Sequence, residues 1–377
     1  MRRSKSRPEF SVVMPTYNRA ATLKKMLGAW ERQTPGDLPF EVVVVDDGSQ
    51  DETPEVIACW QPSRYSLVGL RQENQGPAMA RNYGLAASMG KWVLFTGDDI
   101  EPAPDLLKWH IDSHRHLNDD RWAVLGRISW PRELEVTSTM RHVDGVGAQQ
   151  FSYHFMKDGD EFDYRHFYTS NVSASRRMLD EETAGFSGDF SAAAFEDAEY
   201  SYRLCRRGMR IVYQASARAW HHHPYDARSF FKRQVSCGRM AAVLIRKWPQ
   251  TRRLIGGHQI ARSRLRERLI FGAHRRRLRE VGECLETVED CALELASGFD
   301  VPATTVVDPF LQKLFHYGYL KGLVTANKSE GVARRLCAFW FTNLVGDGFL
   351  SIRHEFEKRG SKADAENLNG LLELTRR

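Results

Sequence analysis

The chain has 377 residues, of which 42% are hydrophobic and 27% charged, and its formal net charge is +6. This composition is ordinary for a globular protein, and the length exceeds most single cores, so we expect one large domain plus an extension. No apolar stretch approaches the roughly 20 residues that span a bilayer, and no apolar segment follows the basic N-terminus, so neither a membrane helix nor a signal peptide is expected. The six cysteines form no CxxC pair, which argues for a reducing compartment and against a structural zinc site.

The first hundred residues alternate between short apolar runs and amphipathic helical segments. The apolar runs are 10–14, 40–45, 67–70 and 92–95. The second contains four consecutive valines, and β-branched side chains favour the pleated surface of a strand over a helix. The resulting order β-α-β-α-β-α-β predicts an α/β fold with a mostly parallel sheet flanked by helices.

Beyond residue 100 the alternation is less regular. A helix is predicted after Pro104, a second one over Glu196–Arg207, and the segment 131–166 is polar and irregular. Further strands are predicted at 122–128, 168–174 and 210–215. The pattern becomes helical near residue 225, which predicts a sheet domain over 1–225 and a basic, mainly helical region over 226–377.

The positive charge is concentrated in one segment. Residues 228–279 contain 16 Lys and Arg but a single acid, Glu267. The first part of this segment predicts a basic amphipathic helix, and two interpretations stay open: a helix in an anionic membrane surface, or one packed on its own domain. No nucleic-acid recognition motif accompanies the charge, so no nucleic-acid partner is expected. We expect a cytoplasmic protein, with peripheral attachment to the inner face of the membrane left open.

Two acidic pairs follow predicted strands. Asp46 and Asp47 end the second strand, and Asp98 and Asp99 follow the fourth. Ligands of open α/β sheets bind beyond the carboxyl ends of the strands, and carboxylates suit a divalent cation with a phosphorylated substrate. Strand alternation would place Asp98 and Asp99 on opposite faces. Helix capping is the simpler explanation for the first pair, although two adjacent acids make capping alone less convincing.

A set of short motifs matches one enzyme family in order and spacing. The matching segments are 13–19 (VMPTYNR), 44–49 (VVDDGS), 74–76 (NQG), 80–84 (ARNYG), 97–99 (GDD), 171–177 (NVSASRR), 196–197 (ED), 203–204 (RL) and 221–223 (HHH). On these motifs, residues 10–225 resemble a family 2 glycosyltransferase with the GT-A fold. The resemblance implies a Rossmann-like sheet, a nucleotide-sugar donor, and transfer with inversion of the anomeric centre.

The resemblance also implies roles for individual residues. The implied donor-nucleotide residues are Pro15, Tyr17, Asp46, Asp47, Arg81 and Asp98. Asp99 and His221 are the implied ligands of a Mg²⁺ or Mn²⁺ ion, with His223 as the alternative histidine, and Asp197 is the implied general base. The family pattern is Asp-x-Asp, and this chain has Gly97 at the first position, which puts the usual ribose contact in doubt.

Simpler explanations exist for several of these residues. Acids in the first turn of a helix are favoured by the helix dipole, which would explain Glu196, Asp197 and Glu199 alike. An exposed helical arginine would explain Arg81. The predicted function is an inverting, metal-assisted glycosyltransferase acting on a glycan or lipid-linked hydroxyl in cell-surface polysaccharide synthesis. The alternative is an inactive module that binds a nucleotide sugar or a glycan. A dinucleotide-dependent dehydrogenase is disfavoured, because no GxGxxG follows the first strand.

Overall fold

A computed structural model describes residues 7–36, 38–145, 151, 153–255, 281–283, 285–297 and 307–346. The chain forms two compact units. The sheet unit comprises Met1–Leu134 and Phe155–His223, and the helical unit comprises Glu135–His154 and Pro224–Arg377. The boundary predicted from the sequence, at residue 225, did not anticipate that Glu135–His154 groups with the helical unit. Residues 256–279 of the predicted basic segment lie outside the described residues.

The sheet unit contains nine described strands and six helices that surround them. The strands are β1 (Phe10–Thr16), β2 (Phe40–Asp46), β3 (Ser66–Arg71), β4 (Trp92–Thr96), β5 (Ile100–Pro102), β6 (Trp122–Ser129), β7 (Glu161–Phe162), β8 (Asn171–Ser175) and β9 (Arg210–His221). The helices are α1 (Ala20–Trp30), α2 (Thr53–Cys59), α3 (Pro77–Ala87), α4 (Leu106–Leu117), α6 (Arg176–Asp180) and α7 (Glu196–Arg206), and α5 (Ser138–Asp144) belongs to the helical unit. All seven strands predicted from the sequence are present, while the short β5 and β7 were not predicted.

The strand order is β3-β2-β1-β4-β8-β6-β9-β5, and β7 pairs with β9. The first four strands of this order are parallel, as the β-α-β alternation predicts. From β4 onward, β8 is antiparallel to both β4 and β6, whereas β6 and β9 are parallel. The α/β fold class is therefore confirmed, with a sheet that is parallel in one half and mixed in the other. β2 is buried at every position, which explains its continuous run of valines.

A buried polar network joins α4 to the centre of the sheet. Asn171 donates from Nδ2 to Ala217 O at 2.9 Å, so its Oδ1 accepts from His110 Nε2 at 3.0 Å. Ser173 Oγ then donates to His110 Nδ1 at 2.8 Å and accepts from His114 Nε2 at 2.8 Å. In this arrangement His110 donates through Nε2 and accepts through Nδ1, as a neutral imidazole does, and His114 donates through Nε2. Accordingly, burial lowers the pKa of His110 to about 4 and that of His114 to about 3.

The helical unit is organised around two long helices. Its described α-helices, besides α5, are α8 (Ala227–Lys247), α9 (Leu285–Ser297), α10 (Val307–Thr325) and α11 (Glu330–Trp340). Asp226 caps α8 in a capping box with Ser229. Gly238 and Gly322 lie where α8 and α10 cross: an added Cβ would stand 2.0 Å from Tyr319 O and 1.9 Å from Val235 O, respectively. The crossing therefore needs glycine on both helices.

Helix α8 has the basic amphipathic character that the sequence predicts. Phe230, Phe231 and Leu244 are buried in the unit, whereas Lys232 and Arg239 are exposed. The packing of α8 against α10 covers its apolar face, which is the second of the two interpretations raised by the sequence. Among the described residues, no helix has both the length and the apolar character required to cross a membrane.

Candidate functional site

The site lies where the direction of the strand order reverses. Successive strands extend from β1 through β2 to β3 on one side, and β4 lies on the other side of β1. The loops after β1 and β4 therefore diverge at their carboxyl ends and leave a crevice, the usual ligand position in open α/β sheets. Thr16, the last residue of β1, donates from Oγ1 to Asp98 Oδ2 at 2.7 Å across this crevice.

Asp98 and Asp99 lie in the turn between β4 and β5, not in a strand. The prediction that strand alternation directs them to opposite faces is therefore wrong. Arg19 Nη1 contacts both carboxylates, at 3.2 Å from Asp98 Oδ1 and 2.5 Å from Asp99 Oδ2. A Cβ at position 97 would stand 2.8 Å from Asp99 Oδ1, so any larger residue there would require the Asp99 carboxylate to shift. The departure from the family pattern leaves room for the Asp99 carboxylate.

Asp99 lies beside two histidines at the end of β9. Its Oδ2 is 3.6 Å from His221 Nε2 and 3.7 Å from His223 Nδ1, and the two imidazole rings stack with centroids 5.6 Å apart. The three ligand atoms lie within 4.8 Å of one another, which is compatible with one shared cation. Two imidazoles and a carboxylate match a divalent transition metal better than Mg²⁺, which prefers oxygen ligands throughout.

The two adjacent acids differ in their ionisation. Burial, together with the neighbouring charge of Asp99, raises the pKa of Asp98 to about 6. Burial acts in the same direction on Asp99, but the hydrogen bond and charge of His221 and the guanidinium of Arg19 outweigh it and hold the pKa of Asp99 well below its usual range. The Asp99 carboxylate therefore stays ionised at neutral pH.

His222, which follows β9, has different partners from His221 and His223. Its Nε2 contacts Glu101 Oε2 at 2.6 Å, and its backbone N–H donates to Asp99 O at 2.8 Å. Lys25 and Arg32 also contact Glu101, at 3.7 and 2.6 Å. This second group of charged residues fixes β5 against β9, and so holds Asp99 in register with His221 and His223.

The acids after β2 form a separate cluster. Asp46 Oδ1 accepts from the Ser49 N–H at 2.9 Å, and Asp46 Oδ2 lies 3.3 Å from Arg71 Nη1. Asp47 accepts from the backbone N–H groups of Gln75 and Gly76 at 2.9 and 2.8 Å. Both acids are almost fully buried. Their direct contacts organise the loops after β2 and β3, and Asp47 fixes the turn from which α3 starts.

Arg81 is buried in α3 and pairs with the helix that carries Asp197. Its Nη1 donates to Glu196 Oε1 at 2.9 Å, and its guanidinium carbon lies 5.8 Å from the ring centroid of Phe186. Next to it, Asn82 donates to Phe186 O and accepts from the Phe186 N–H, at 2.8 and 2.7 Å. Arg81 is thus not the exposed helical arginine of the simpler explanation.

Asp197 lies in the first turn of α7. This helix begins directly after Phe195, which has a left-handed backbone with φ of 64°. The neighbouring acids of this turn have ion-pair partners. Glu196 pairs with Arg81, and the fully buried Glu199 pairs with Arg203 at 2.9 Å. Asp197 is half-buried, and its Oδ1 accepts from the Ala198 N–H at 2.7 Å. The helix-dipole argument did not distinguish Glu196 and Glu199 from Asp197. In the structure, both glutamates are held in ion pairs.

The remaining predicted donor residues lie at the end of β1. Pro15 is within the strand, and Tyr17 follows it with 46% of its surface exposed. The sequence interpretation assigned no role to Arg19 or to the partnership of Arg81 with Glu196. Arg19 could have been found by considering every polar residue after β1, since that segment ends at the crevice. The partner of Arg81 is distant in sequence, and no local signal indicates it.

Comparisons with known proteins agree with this description of the sheet unit. A family model described as glycosyl transferase family 2 matches residues 11–183. A PGL/p-HBAD biosynthesis glycosyltransferase of Mycobacterium tuberculosis is 42% identical over 93 residues, 24% of this chain and 36% of that protein. Validoxylamine A glucosyltransferase of Streptomyces hygroscopicus is 29% identical over 235 residues, 56% of this chain and 54% of that protein. The matches thus span about a third and about half of these relatives.

Two further similarities are more distant. A dolichyl N-acetyl-α-D-glucosaminyl phosphate 3-β-D-2,3-diacetamido-2,3-dideoxy-β-D-glucuronosyltransferase of Methanococcus voltae is 21% identical over 249 residues, 63% of this chain and 74% of that protein. Among solved structures, a mannosyltransferase of Pyrobaculum calidifontis in complex with GDP-Man and Mn²⁺ has a TM-score of 0.48 at 19% identity, covering 99% of this chain and 87% of that one.

Proposed function

Because residues 11–183 belong to glycosyltransferase family 2, we propose that this protein transfers a sugar from a nucleotide-diphosphate donor to an acceptor hydroxyl. The observation that carries the proposal is the grouping of Asp99, His221 and His223 at the crevice between β1 and β4. A cation on these residues, Mn²⁺ in preference to Mg²⁺, would neutralise charge on the departing nucleoside diphosphate. The ligand set is part of this proposal.

The donor site is proposed to extend from this cluster along the loops after β1, β2 and β3. Tyr17 is exposed beside the crevice and would pack against the nucleobase. Asp98 is oriented by Thr16 and Arg19 toward the same crevice and would take the ribose contact for which Gly97 has no side chain. Asp47 would act through the loop it fixes, since its carboxylate already accepts two backbone N–H groups of that loop.

The remaining proposed donor residues contribute less directly. Pro15 sets the exit of β1, and Asp46 with Arg71 sets the exit of β2. Arg81 would influence the donor site from α3, where its pairing with Glu196 links that helix to α7. These residues would maintain the shape of the donor site and would not contact the donor directly, because Asp46 and Arg81 already form ion pairs within the protein.

Asp197 is proposed as the general base. It would accept the proton of the acceptor hydroxyl as that oxygen bonds to C1 of the sugar and the bond from C1 to the diphosphate oxygen breaks. The leaving group is the nucleoside diphosphate, and a single displacement inverts the anomeric carbon. The ion pairs of Glu196 and Glu199 hold both ends of this helical turn, so the backbone that presents Asp197 is fixed.

The acceptor is proposed to be a glycan or lipid-linked hydroxyl in the synthesis of a surface polysaccharide. The name of the Methanococcus voltae relative includes a dolichyl-phosphate-linked sugar. In this chain, the exposed Lys232 and Arg239 on α8 would attract an anionic membrane surface by charge alone, since the apolar face of α8 is covered by α10.

The test is release of nucleoside diphosphate from a panel of nucleotide sugars in the presence of Mn²⁺. We expect Asp197→Asn to keep donor binding and to lower turnover about 10² to 10⁴-fold, the usual contribution of a general base. Asp99→Ala should abolish Mn²⁺-dependent turnover. Asp112→Asn, which removes an exposed acid on α4 of the same unit, is the matched control and should retain wild-type turnover. Full turnover by Asp197→Asn would refute the general-base assignment.

A further inference from the structure

Arg19 lies within the matching segment 13–19, but the resemblance implied no role for it. The residue precedes α1, and its guanidinium reaches two carboxylates from the solvent side. The side chain of Arg19 is 36% exposed, whereas those of Asp98 and Asp99 are 9% and 14% exposed. A single nitrogen, Nη1, contacts both acids. Arg19 is thus the protein's own counter-charge for this acidic pair.

The same oxygen of Asp99 faces Arg19 and the two histidines. Asp99 Oδ2 is 2.5 Å from Arg19 Nη1, 3.6 Å from His221 Nε2 and 3.7 Å from His223 Nδ1. A cation bound by Asp99 and the two imidazoles would lie against this oxygen. Two positive charges within about 4 Å repel each other, most strongly where the surroundings are partly buried. The guanidinium and a metal ion therefore compete for Asp99.

We propose that Arg19 is an exchangeable counter-cation that releases Asp99 when the metal binds and then contacts the diphosphate of the donor. This inference rests on the proposed function. When the metal ion is bound, phosphate oxygens held by that ion would lie beside its protein ligands, and so beside Asp99. A change of side-chain rotamer would therefore bring a guanidinium released from Asp99 to these phosphate oxygens. Guanidinium groups bind phosphate through paired N–H donors.

The exchange makes the metal and the diphosphate depend on each other. Metal alone must break the contact of Arg19 with Asp99 and leave that side of the guanidinium to water. Metal with diphosphate gives the guanidinium a new partner. Coupling between two ligands is reciprocal, so each should bind more tightly when the other is present. A purely structural arginine would behave differently, since its loss would weaken binding of both ligands.

The test measures two affinities in the full-length chain. Mn²⁺ binding without nucleotide is followed by the loss of the electron paramagnetic resonance signal of free Mn²⁺. Binding of manganese pyrophosphate to the Mn²⁺-saturated protein is followed by calorimetry. For Arg19→Gln we expect Mn²⁺ to bind roughly tenfold more tightly and pyrophosphate roughly tenfold more weakly, the scale of one charge-assisted contact. Lys24→Gln removes the same charge from an exposed position on α1 and should change neither affinity.

Each outcome decides a different point. Mn²⁺ affinity that is unchanged or weaker in Arg19→Gln, with wild-type Mn²⁺ binding intact, overturns the inference and leaves the proposed function standing. Unchanged pyrophosphate affinity overturns the transfer of Arg19 to the diphosphate. No Mn²⁺ binding by wild type or variant overturns both this inference and the proposed metal site. Arg19→Lys keeps the charge and should give intermediate Mn²⁺ affinity, so the comparison remains decisive if Arg19→Gln folds poorly.

Discussion

The neutral histidine pair beneath the sheet should make this protein acid-sensitive in a way that one substitution can isolate. His114 donates to Ser173, and Ser173 in turn donates to His110, so in this arrangement His110 Nδ1 is an acceptor and carries no proton. The pKa is lowered by burial to about 4 for His110 and about 3 for His114. In the unfolded chain both return to about 6.5. Between these values the unfolded state binds more protons, so stability is full above pH 6.5 and is lost as the pH falls toward 4.

The size of the effect follows from the same values. Between pH 7 and pH 5, each histidine should cost about 2 kcal/mol of unfolding free energy. Replacing His114 by Gln retains a nitrogen donor near the position of Nε2 but removes the titration. The assay is urea unfolding at both pH values, followed by circular dichroism and tryptophan fluorescence, with each transition fitted separately if the two units unfold apart.

We expect the loss of stability from pH 7 to pH 5 to be about 2 kcal/mol smaller in His114→Gln than in the wild type. His116→Gln, at an exposed position on the same helix, is the matched control and should follow the wild type. Equal pH dependence of wild type and His114→Gln would refute the assignment of a buried neutral imidazole. The same conclusion would follow if His116→Gln altered the pH dependence of stability more than His114→Gln did.

Two further predictions concern packing and charge in the two units. Gly238→Val places a branched side chain where even a Cβ would stand 2.0 Å from Tyr319 O. We therefore expect the free energy of unfolding to fall by about 1–3 kcal/mol or more, with a lower Tm. An unchanged Tm would contradict the close crossing of α8 and α10. Arg203→Met leaves Glu199 fully buried without its ion-pair partner and should cost about 3–5 kcal/mol by urea unfolding. Adding Glu199→Leu to that variant should recover part of the loss, and a double variant no more stable than the single one would count against the ion pair.

The local pattern of the sequence predicted the strands well. Apolar runs bounded by turn residues marked seven strands, and their alternation with helices predicted the parallel half of the sheet. The antiparallel insertion of β8 between β4 and β6 was not predicted. Strand pairing between segments far apart in sequence has no local periodicity, because period-2 alternation reports which face is buried and not which neighbour is paired.

The site shows the same division between local and long-range information. The family resemblance of the sequence implied candidate roles for Asp99, His221, His223 and Asp197. The sequence pattern misplaced Asp98 and Asp99 on opposite faces, because the chain leaves the strand at Gly97 and the alternation of a strand no longer applies. A turn can direct two consecutive carboxylates toward one cation, and Arg19 takes that position.

By itself, the sequence determined the kinds of chemistry available to this protein: carboxylates after apolar strands, histidines after another, and an acid at the start of a helix. Only the tertiary structure decided which of these groups share a location. It brought Arg19 to Asp98 and Asp99 across 79 and 80 positions of sequence separation, and Arg81 to Glu196 across 115. The physical reason is that residue types and periodicities act over a few residues, whereas charges in partly buried surroundings are satisfied by whichever partners the packed chain brings within contact distance.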